Sequence, residues 1–190
     1  KPDVVRDTYY VYVTYFYPVS PPVNGTQVIQ IAPFNVVVGA ITVSPDNGTV
    51  GSEVNVNGTY FGNTEGIGIV YDEIAVSPSG GGLTNGSGTF GPAKITVPPG
   101  IAGQHTVKVS GNSSGTSAQA KFTVKPKLTI TPTSGPAGTL IKISGSGFGN
   151  QVYVTPTFGS DNLTPSRTDG NGSFTFSVWA SKKAAGSYVI

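Results

Sequence analysis

Leu128-Thr-Ile-Thr-Pro-Thr-Ser-Gly-Pro-Ala-Gly-Thr-Leu-Ile-Lys-Ile-Ser-Gly-Ser-Gly-Phe-Gly-Asn150 repeats Ile41-Thr-Val-Ser-Pro-Asp-Asn-Gly-Thr-Val-Gly-Ser-Glu-Val-Asn-Val-Asn-Gly-Thr-Tyr-Phe-Gly-Asn63 at a constant offset, without a gap. Further on, Thr168-Asp-Gly-Asn-Gly-Ser-Phe174 matches Thr84-Asn-Gly-Ser-Gly-Thr-Phe90. The last match joins Gly186-Ser-Tyr-Val-Ile190 to Gly103-Gln-His-Thr-Val107. The chain therefore contains two copies of one structural unit.

The two copies differ in how far they continue. The first copy runs on from Lys108 to another strand-like segment, Ala118-Gln-Ala-Lys-Phe-Thr-Val124, for which the second copy has no equivalent before Ile190. A β-sandwich without one strand exposes unpaired backbone groups and an apolar groove. We therefore expect the second copy to be completed by a segment from elsewhere.

Composition and punctuation indicate an all-β fold. Short runs rich in Val, Ile, Thr and Tyr alternate with Gly, Pro, Asn and Asp, which is typical of antiparallel sandwiches. The expected architecture is two tandem immunoglobulin-like β-sandwich domains behind an extended N-terminal arm, with the second domain lacking its final strand. The arm is predicted over residues 1–25, the first domain over 26–125 and the second over 126–190. Residues 26–38 fit either the arm or the first domain.

The arm contains the candidate donor strand. In Thr8-Tyr-Tyr-Val-Tyr-Val-Thr-Tyr-Phe-Tyr17 alternate residues form one apolar face of an extended strand. That face consists of Tyr9, Val11, Val13, Tyr15 and Tyr17. We expect it to complete the second domain of a neighbouring copy, by donor-strand complementation. Two alternatives are a first strand of the chain's own first domain and an aromatic sugar-binding platform.

The acceptor groove is expected between the strand that opens the second repeat and the segment that closes it. The residues predicted to form the groove are Leu128, Ile130, Ile141, Ile143, Phe174, Phe176, Tyr188 and Ile190. Trp179 is expected to lie in the core beneath the groove.

Charge and residue usage exclude several classes of function. Charged residues make up 11% of the chain, the net charge is +2, and no Lys/Arg cluster provides a nucleic-acid surface. The chain has no cysteine and no apolar run long enough to span a bilayer. It begins with Lys1, which fits removal of a signal peptide, so we expect a secreted protein at the cell surface. With few carboxylates, stability is expected to depend weakly on acid pH.

The surface also carries signals for N-linked glycans. Seven Asn-X-Ser/Thr sequons occur, none with proline in the middle. They are Asn24, Asn47, Asn57, Asn85, Asn112, Asn162 and Asn171. The alternative is that these triplets are only turn sequences, and Asn57 is the weakest candidate because it lies in a predicted strand.

Candidate catalytic and metal-binding residues are few. His105 is the only histidine, and it aligns with Tyr188 of the other copy. Asp169-Gly-Asn-Gly172 lacks the spaced carboxylates of a calcium loop, and adjacent Asp72 and Glu73 would point to opposite faces of a strand. No cofactor fingerprint is present, so no catalytic residue, metal or cofactor is predicted, and we do not expect an enzyme.

Thr129-Ile-Thr-Pro-Thr-Ser-Gly-Pro-Ala-Gly-Thr-Leu-Ile-Lys-Ile-Ser-Gly-Ser-Gly-Phe-Gly149 resembles the opening of the IPT/TIG family of immunoglobulin-like modules. The resemblance implies a sandwich fold and a role as a spacer, adhesin or enzyme accessory. With its arm, its incomplete repeat and its sequons, the whole chain also resembles the subunit of the archaeal thread, a glycosylated surface pilus built by donor-strand complementation.

The function expected from these features is structural. Copies of the chain would polymerise head to tail into an extracellular filament, and its partners would be other copies and N-linked glycans. One alternative is a cell-surface adhesin or carbohydrate-binding module. Another is a fragment of an S-layer or other surface protein whose repeats continue beyond Ile190.

Overall fold

The computed structural model describes residues 7–15, 28–182, 186–188 and 190. These residues form β-strands, turns and loops, and no helix occurs among them, so the all-β prediction is confirmed for this part of the chain. None of the described residues belongs to a helix that could cross a membrane. Residues 1–39 and residues 40–190 form two separate compact units.

The first unit contains an antiparallel strand pair. Strand β1 (Asp7–Tyr15) pairs with β2 (Val28–Val36), with Tyr9 opposite Phe34 and Tyr15 opposite Val28. Both strands are rich in β-branched and aromatic residues, which favour extended backbone. In β2 the side chains from Ala32 onward are exposed. By sequence, residues 26–38 fit either the arm or the first domain, and residues 28–36 of this stretch pair with β1.

In the second unit, the first repeat (residues 40–124) forms two sheets. The three-stranded sheet has the order β3-β5-β8, with β3 (Ala40–Ser44), β5 (Glu53–Thr59) and β8 (Phe90–Thr96). The five-stranded sheet consists, in spatial order, of β4 (Asn47–Gly48), β10 (Ser117–Val124), β9 (Gly103–Gly111), β6 (Ile67–Tyr71) and β7 (Ile74–Val76).

Alternate residues of both sheets build one buried cluster in the first repeat. Val54 and Val56 on β5 and Val107 and Val109 on β9 are fully buried, while their strand neighbours are more exposed. This is the period-two pattern of a sandwich whose two sheets face each other.

The second repeat (residues 128–190) contains a three-stranded sheet like that of the first repeat, but its described residues do not form a five-stranded sheet. Strands β11 (Lys127–Thr131), β12 (Leu140–Ser146) and β17 (Phe174–Trp179) pair in the order β11-β12-β17. Instead of a second full sheet there are two short strand pairs. One joins β13 (Tyr153–Val154) to β16 (Ser166–Arg167), and the other joins β14 (Thr157–Phe158) to β15 (Asp161–Asn162).

Two strands expected in the second repeat are therefore different in the structure. The sequence of residues 151–158 predicts one strand, but the structure divides it into β13 and β14, and Pro156 between them cannot donate to a ladder. The sequence of residues 187–190 also predicts a strand, which is not formed at residues 186–188 or at Ile190. In the first repeat the matching strand, β9, pairs with β10 on one side and β6 on the other.

The interiors of the two repeats nevertheless share one plan. The rings of Phe61 and Phe90 meet edge to face at 5.2 Å, and so do those of Phe148 and Phe174. A buried threonine occupies the same place in both and binds matching backbone groups. The hydroxyl of Thr84 accepts from the N–H of Glu65 and donates to the carbonyl of Gly62, and Thr168 does the same with Val152 and Gly149.

Candidate strand-acceptor groove

Strand β10 shows what completes the first repeat. It lies between β9, which it pairs with antiparallel, and β4, which it pairs with parallel. Its inward side chains are Ala118 and Ala120, which are half-buried, and Phe122 and Val124, which are buried. Phe122 is only 1% exposed, so β10 contributes a large apolar side chain to the core.

The pocket that receives Phe122 has two aromatic walls and a glycine. Tyr71 lies 6.3 Å from the Phe122 ring in an edge arrangement, and it stacks on His105 at 5.2 Å. A Cβ atom added at Gly48 would lie 3.2 Å from the end of the Phe122 ring. The glycine on β4 therefore leaves the room that the ring occupies.

The second repeat reproduces this pocket. Phe158 stacks on Tyr188 at 5.4 Å with an interplanar angle of 29°, as Tyr71 stacks on His105 at 24°. Gly135 stands where the first repeat has Gly48. Among the described residues of the second repeat, no strand takes the place that β10 has in the first repeat.

What remains is an open groove of about 640 Å³, here called the acceptor groove. Ile130 and Ile141 contribute from the three-stranded sheet, and Phe158, Tyr188 and Ile190 from the opposite wall. The loop at positions 133–137, which matches β4 and its neighbours, forms the edge. Its polar and apolar lining surfaces suit an extended peptide with one apolar face.

The difference in side-chain exposure between matching positions of the two repeats shows which positions β10 covers in the first repeat. Positions 47–50 are half-buried, whereas their counterparts at 134–137 are all exposed. His105 is 8% exposed and its counterpart Tyr188 is 39% exposed. Ile41 is half-buried, and its counterpart Leu128 is 45% exposed. The acceptor groove is thus the place that β10 fills in the first repeat.

Of the residues predicted to form the groove, Ile130, Ile141, Tyr188 and Ile190 line it. The others lie elsewhere. Ile143 and Phe174 are buried in the core and Phe176 packs against it, while Leu128 is exposed outside the groove. The sequence predicts Trp179 in the core, and this prediction is wrong, because the side chain is 67% exposed.

Sequence reasoning missed Phe158 and the loop at 133–137. Both could have been found from the repeat itself, because Phe158 aligns with Tyr71 and Ser134-Gly135 with Asn47-Gly48. The expected donor residues Tyr9, Val11, Val13 and Tyr15 lie on β1, and Tyr17 lies outside the described residues.

His105 has structural contacts on both ring nitrogens. Nδ1 lies 2.6 Å from the carboxylate of Asp72, and Nε2 lies 2.9 Å from the carbonyl oxygen of Ile101. Burial opposes ionisation of Asp72, yet hydrogen bonds from the N–H of Thr106 and from His105 hold its pKa below the usual value. Both nitrogens face acceptors, so neither faces a hydroxyl that it could activate.

Glu65 is a buried acid whose contacts are also structural. Its carboxylate accepts hydrogen bonds from the hydroxyl and N–H of Ser114 and from the N–H groups of Ser113 and Gly62, at 2.6 to 2.8 Å. The hydroxyl and N–H of Ser114 lower the pKa of Glu65 to about 2, against the effect of burial. The carboxylate therefore joins the loop between β5 and β6, which contains Glu65 and Gly62, to the loop between β9 and β10.

Asp169 and Asn85 cap equivalent turns. Oδ1 of Asp169 accepts from the N–H groups of Asn171 and Ser173, and Oδ1 of Asn85 accepts in the same way. The Asp-Gly-Asn-Gly sequence is therefore accounted for by a turn in which the Asp169 side chain binds backbone N–H groups, and this turn needs no bound cation. No cluster of three potential metal ligands occurs among the described residues.

The sequons divide by exposure. Asn47 and Asn57 lie in strands and are half-buried, and Asn24 lies outside the described residues. The exposed asparagines are Asn85, Asn112, Asn162 and Asn171. Attachment of a bulky glycan requires an accessible side-chain amide, so these four are the better acceptors.

Comparison with known proteins bears on the second repeat. A search of curated proteins gives no match to the chain. Residues 128–189, which include β11, β12, β17 and most of the acceptor groove, match the IPT/TIG domain family, and this match supports an immunoglobulin-like fold of the kind found in surface and adhesion modules.

Proposed function

We propose that this protein is the secreted structural subunit of an extracellular filament and that its copies join head to tail by donor-strand complementation. A strand from one copy occupies the acceptor groove of the next. The observation that carries the proposal is that the groove has the walls that hold β10 in the first repeat: two stacked aromatic rings on one side and a glycine on the other.

Strand addition of this kind gives both affinity and direction. The inserted backbone pairs with the open edge, and its alternate side chains enter the groove. The donor and the acceptor are different surfaces, so the contact is heterologous, and it builds an open filament when its rotation does not close a ring. A chain of such contacts grows into a filament.

The rest of the molecule suits an exposed assembly. Only 11% of the residues are charged, so few ionic groups hydrate the surface, and N-linked glycans on the exposed sequons would increase its hydration. Other copies and these glycans are the proposed partners, at the cell surface. The organisation resembles that of the archaeal thread, and we propose no catalytic activity, cofactor or nucleic-acid partner.

The test compares the secreted full-length protein with a variant lacking residues 1–39, by light scattering and negative-stain electron microscopy. A variant lacking only residues 1–6 keeps β1 and β2 and is the matched control. Filaments from the intact chain and the control, with none from the larger deletion, are the expected result. A folded, monodisperse monomer from the intact chain would show that the proposal is wrong.

One observation favours a second candidate, a carbohydrate-binding surface module. Trp179 and Tyr153 are 67% and 74% exposed, and exposed aromatic rings are common sugar contacts. This candidate requires saturable binding of a glycan to the monomer, lost in Trp179→Ala. Titration of glycans followed by isothermal calorimetry, which does not require the single tryptophan, separates the two functions.

A further inference from the structure

Strand β2 contains the sequence pattern of β10. Ala32-Pro-Phe-Asn-Val36 has the same residue as Ala120-Lys-Phe-Thr-Val124 at each alternate position. In β10 these alternate positions are the ones that face the core, and Phe122 and Val124 are its two buried residues. The residues that differ, Pro33 and Asn35, match outward positions.

The same residues are exposed in β2. Phe34 is 60% exposed and Val36 is 41% exposed, although β2 is paired with β1. An exposed phenylalanine and valine at alternate positions of a strand form an apolar face, which favours burial against a partner. The acceptor groove offers a pocket of the kind in which Phe122 lies.

Proline at position 33 is compatible with this place. The N–H groups of Thr123 and Lys125 bind Asp46 and Gly48, on the side of β10 that faces β4. N–H groups of alternate residues point to the same side of a strand, so the N–H of Lys121 also points away from β9. A proline in place of Lys121 therefore removes no hydrogen bond of the ladder with β9.

The order of segments along the chain is also repeated. Val124 is followed after three linker residues by Leu128, which begins the repeated sequence of the second copy. Val36 is followed after four linker residues by Ile41, which begins the first copy. Each repeat is thus preceded by an Ala-X-Phe-X-Val strand, and β10 is at once the last strand of one repeat and the leader of the next.

We infer that β2 of a second copy, and not β1, is the strand that enters the acceptor groove, in the register of β10. This inference rests on the proposed function. In that register Phe34 lies opposite Tyr188 and beside Gly135, as Phe122 lies opposite His105 and beside Gly48. Ala32 lies opposite Ile190 and Val36 opposite Gly186. A strand has two edges, and β10 uses both at the positions of Asn35 and Val36, so β1 must release these residues of β2 when β2 enters the groove. The Tyr-rich face of β1, predicted from sequence as the donor, then stays outside the groove.

It follows that the junction between copies resembles the junction between repeats within one chain. Two differences are visible. Gly147 closely approaches Val124 and Lys125 within the chain, and its counterpart is Tyr60, which is 50% exposed. The linker before the first repeat is also one residue longer.

A disulfide trapping experiment on the full-length chain tests both the segment and the register. Thr123 pairs with Gln104 on the outward face, so the inferred register places Asn35 opposite Ser187. Paired positions in adjacent strands lie within the Cα separation that a disulfide requires. Since the chain has no cysteine, the double variant Asn35→Cys with Ser187→Cys has one possible pair. The matched controls combine Ser187→Cys with Tyr10→Cys, Tyr12→Cys or Thr14→Cys on β1.

The expected result is a ladder of covalent oligomers on a non-reducing gel for the Asn35 variant alone. A ladder from a β1 variant alone would overturn this inference and leave the proposed function intact. Filaments without a ladder from any pair would also overturn it, because another segment, such as residues beyond Ile190 in a longer chain, then fills the groove. Cross-linking only within single chains would overturn the role of a second copy. A monodisperse protein without cross-links would overturn both proposals.

A second variant does not depend on disulfide formation. Phe34→Asp places a charge in the pocket beside Gly135 and Tyr188, while Tyr12→Asp places the same charge on β1. Phe34→Asp is expected to abolish filaments with an unchanged far-ultraviolet circular dichroism spectrum, and Tyr12→Asp to retain them. Loss of filaments only in Tyr12→Asp would contradict the inference.

Discussion

Two phenylalanines test the equivalence between β10 and β2 quantitatively. Phe122 is 1% exposed and lies between Tyr71 and Gly48, so Phe122→Ala leaves a cavity in the core of the first repeat. Burial of this kind is worth about 3–5 kcal/mol on substitution by alanine. With a denaturant slope of about 1–3 kcal/mol per molar urea, the midpoint of unfolding should fall by about 1 M or more.

The measurement is equilibrium urea unfolding followed by far-ultraviolet circular dichroism. Lys121→Ala is the matched control, because Lys121 is adjacent on the same strand and exposed. Surface substitutions of this kind usually change stability by no more than about 0.5 kcal/mol. An unchanged midpoint in Phe122→Ala would refute the argument that this pocket stabilises the sandwich.

The matched substitution in β2 should have its effect only in the assembly. Phe34 is 60% exposed, so Phe34→Ala is expected to leave the urea midpoint of the dissociated subunit unchanged. The filament should dissociate at a lower urea concentration, because the donor then leaves an empty pocket. If Phe34→Ala destabilises the dissociated subunit as much as Phe122→Ala does, Phe34 is buried within its own chain and the equivalence is wrong.

Three further predictions follow from the geometry. Gly88 has a φ of 68°, and an added Cβ would clash with the carbonyl of Phe61, so Gly88→Ala should destabilise the first repeat by about 1–3 kcal/mol in the same assay. The pKa of Glu65 is lowered from 4.5 to about 2, so its stabilising effect is complete above pH 4.5 and is lost as pH falls toward 2; thermal melts should show this slope, and Glu65→Gln should remove it. A weaker acid dependence in the wild type than in Glu65→Gln would contradict that assignment. Asn→Gln substitution at each exposed sequon should remove the mass of one glycan from protein produced in its natural source, as measured by intact-mass spectrometry; the sites are Asn85, Asn112, Asn162 and Asn171. A single unmodified mass for the wild-type protein would contradict glycosylation.

Local sequence patterns predicted many of the strands but not those of residues 151–158 and 187–190, and not all of the groove. Ile130 and Ile141 are on strands whose alternation is visible in the sequence, and both line the groove. The loop at 133–137 carries no such pattern, because its counterpart β4 has only two residues and pairs in parallel with a strand far along the chain. A pairing of this kind depends on long-range geometry rather than on local propensity.

Trp179 shows how a large apolar residue can mislead. Its size favoured a core position, but on β17 the inward residues are Phe174, Phe176 and Val178, so Trp179 has the outward parity. It is paired with Leu140, which is also exposed. The lowered pKa of Glu65 was similarly hidden from the sequence, because Ser113 and Ser114, which bind its carboxylate, are distant along the chain.

The repeated order of strand, linker and sandwich also accounts for polarity. Within one chain the strand that leads the second repeat closes the first, so this internal closure uses β10 completely. Among the described residues, β2 and the acceptor groove then remain, at opposite ends of this order. Under the proposed assembly, copies joined through them must all point the same way, and each added copy supplies a new groove as it fills one. The two ends of the proposed filament are therefore expected to be chemically different, since one presents the acceptor groove and the other presents β2.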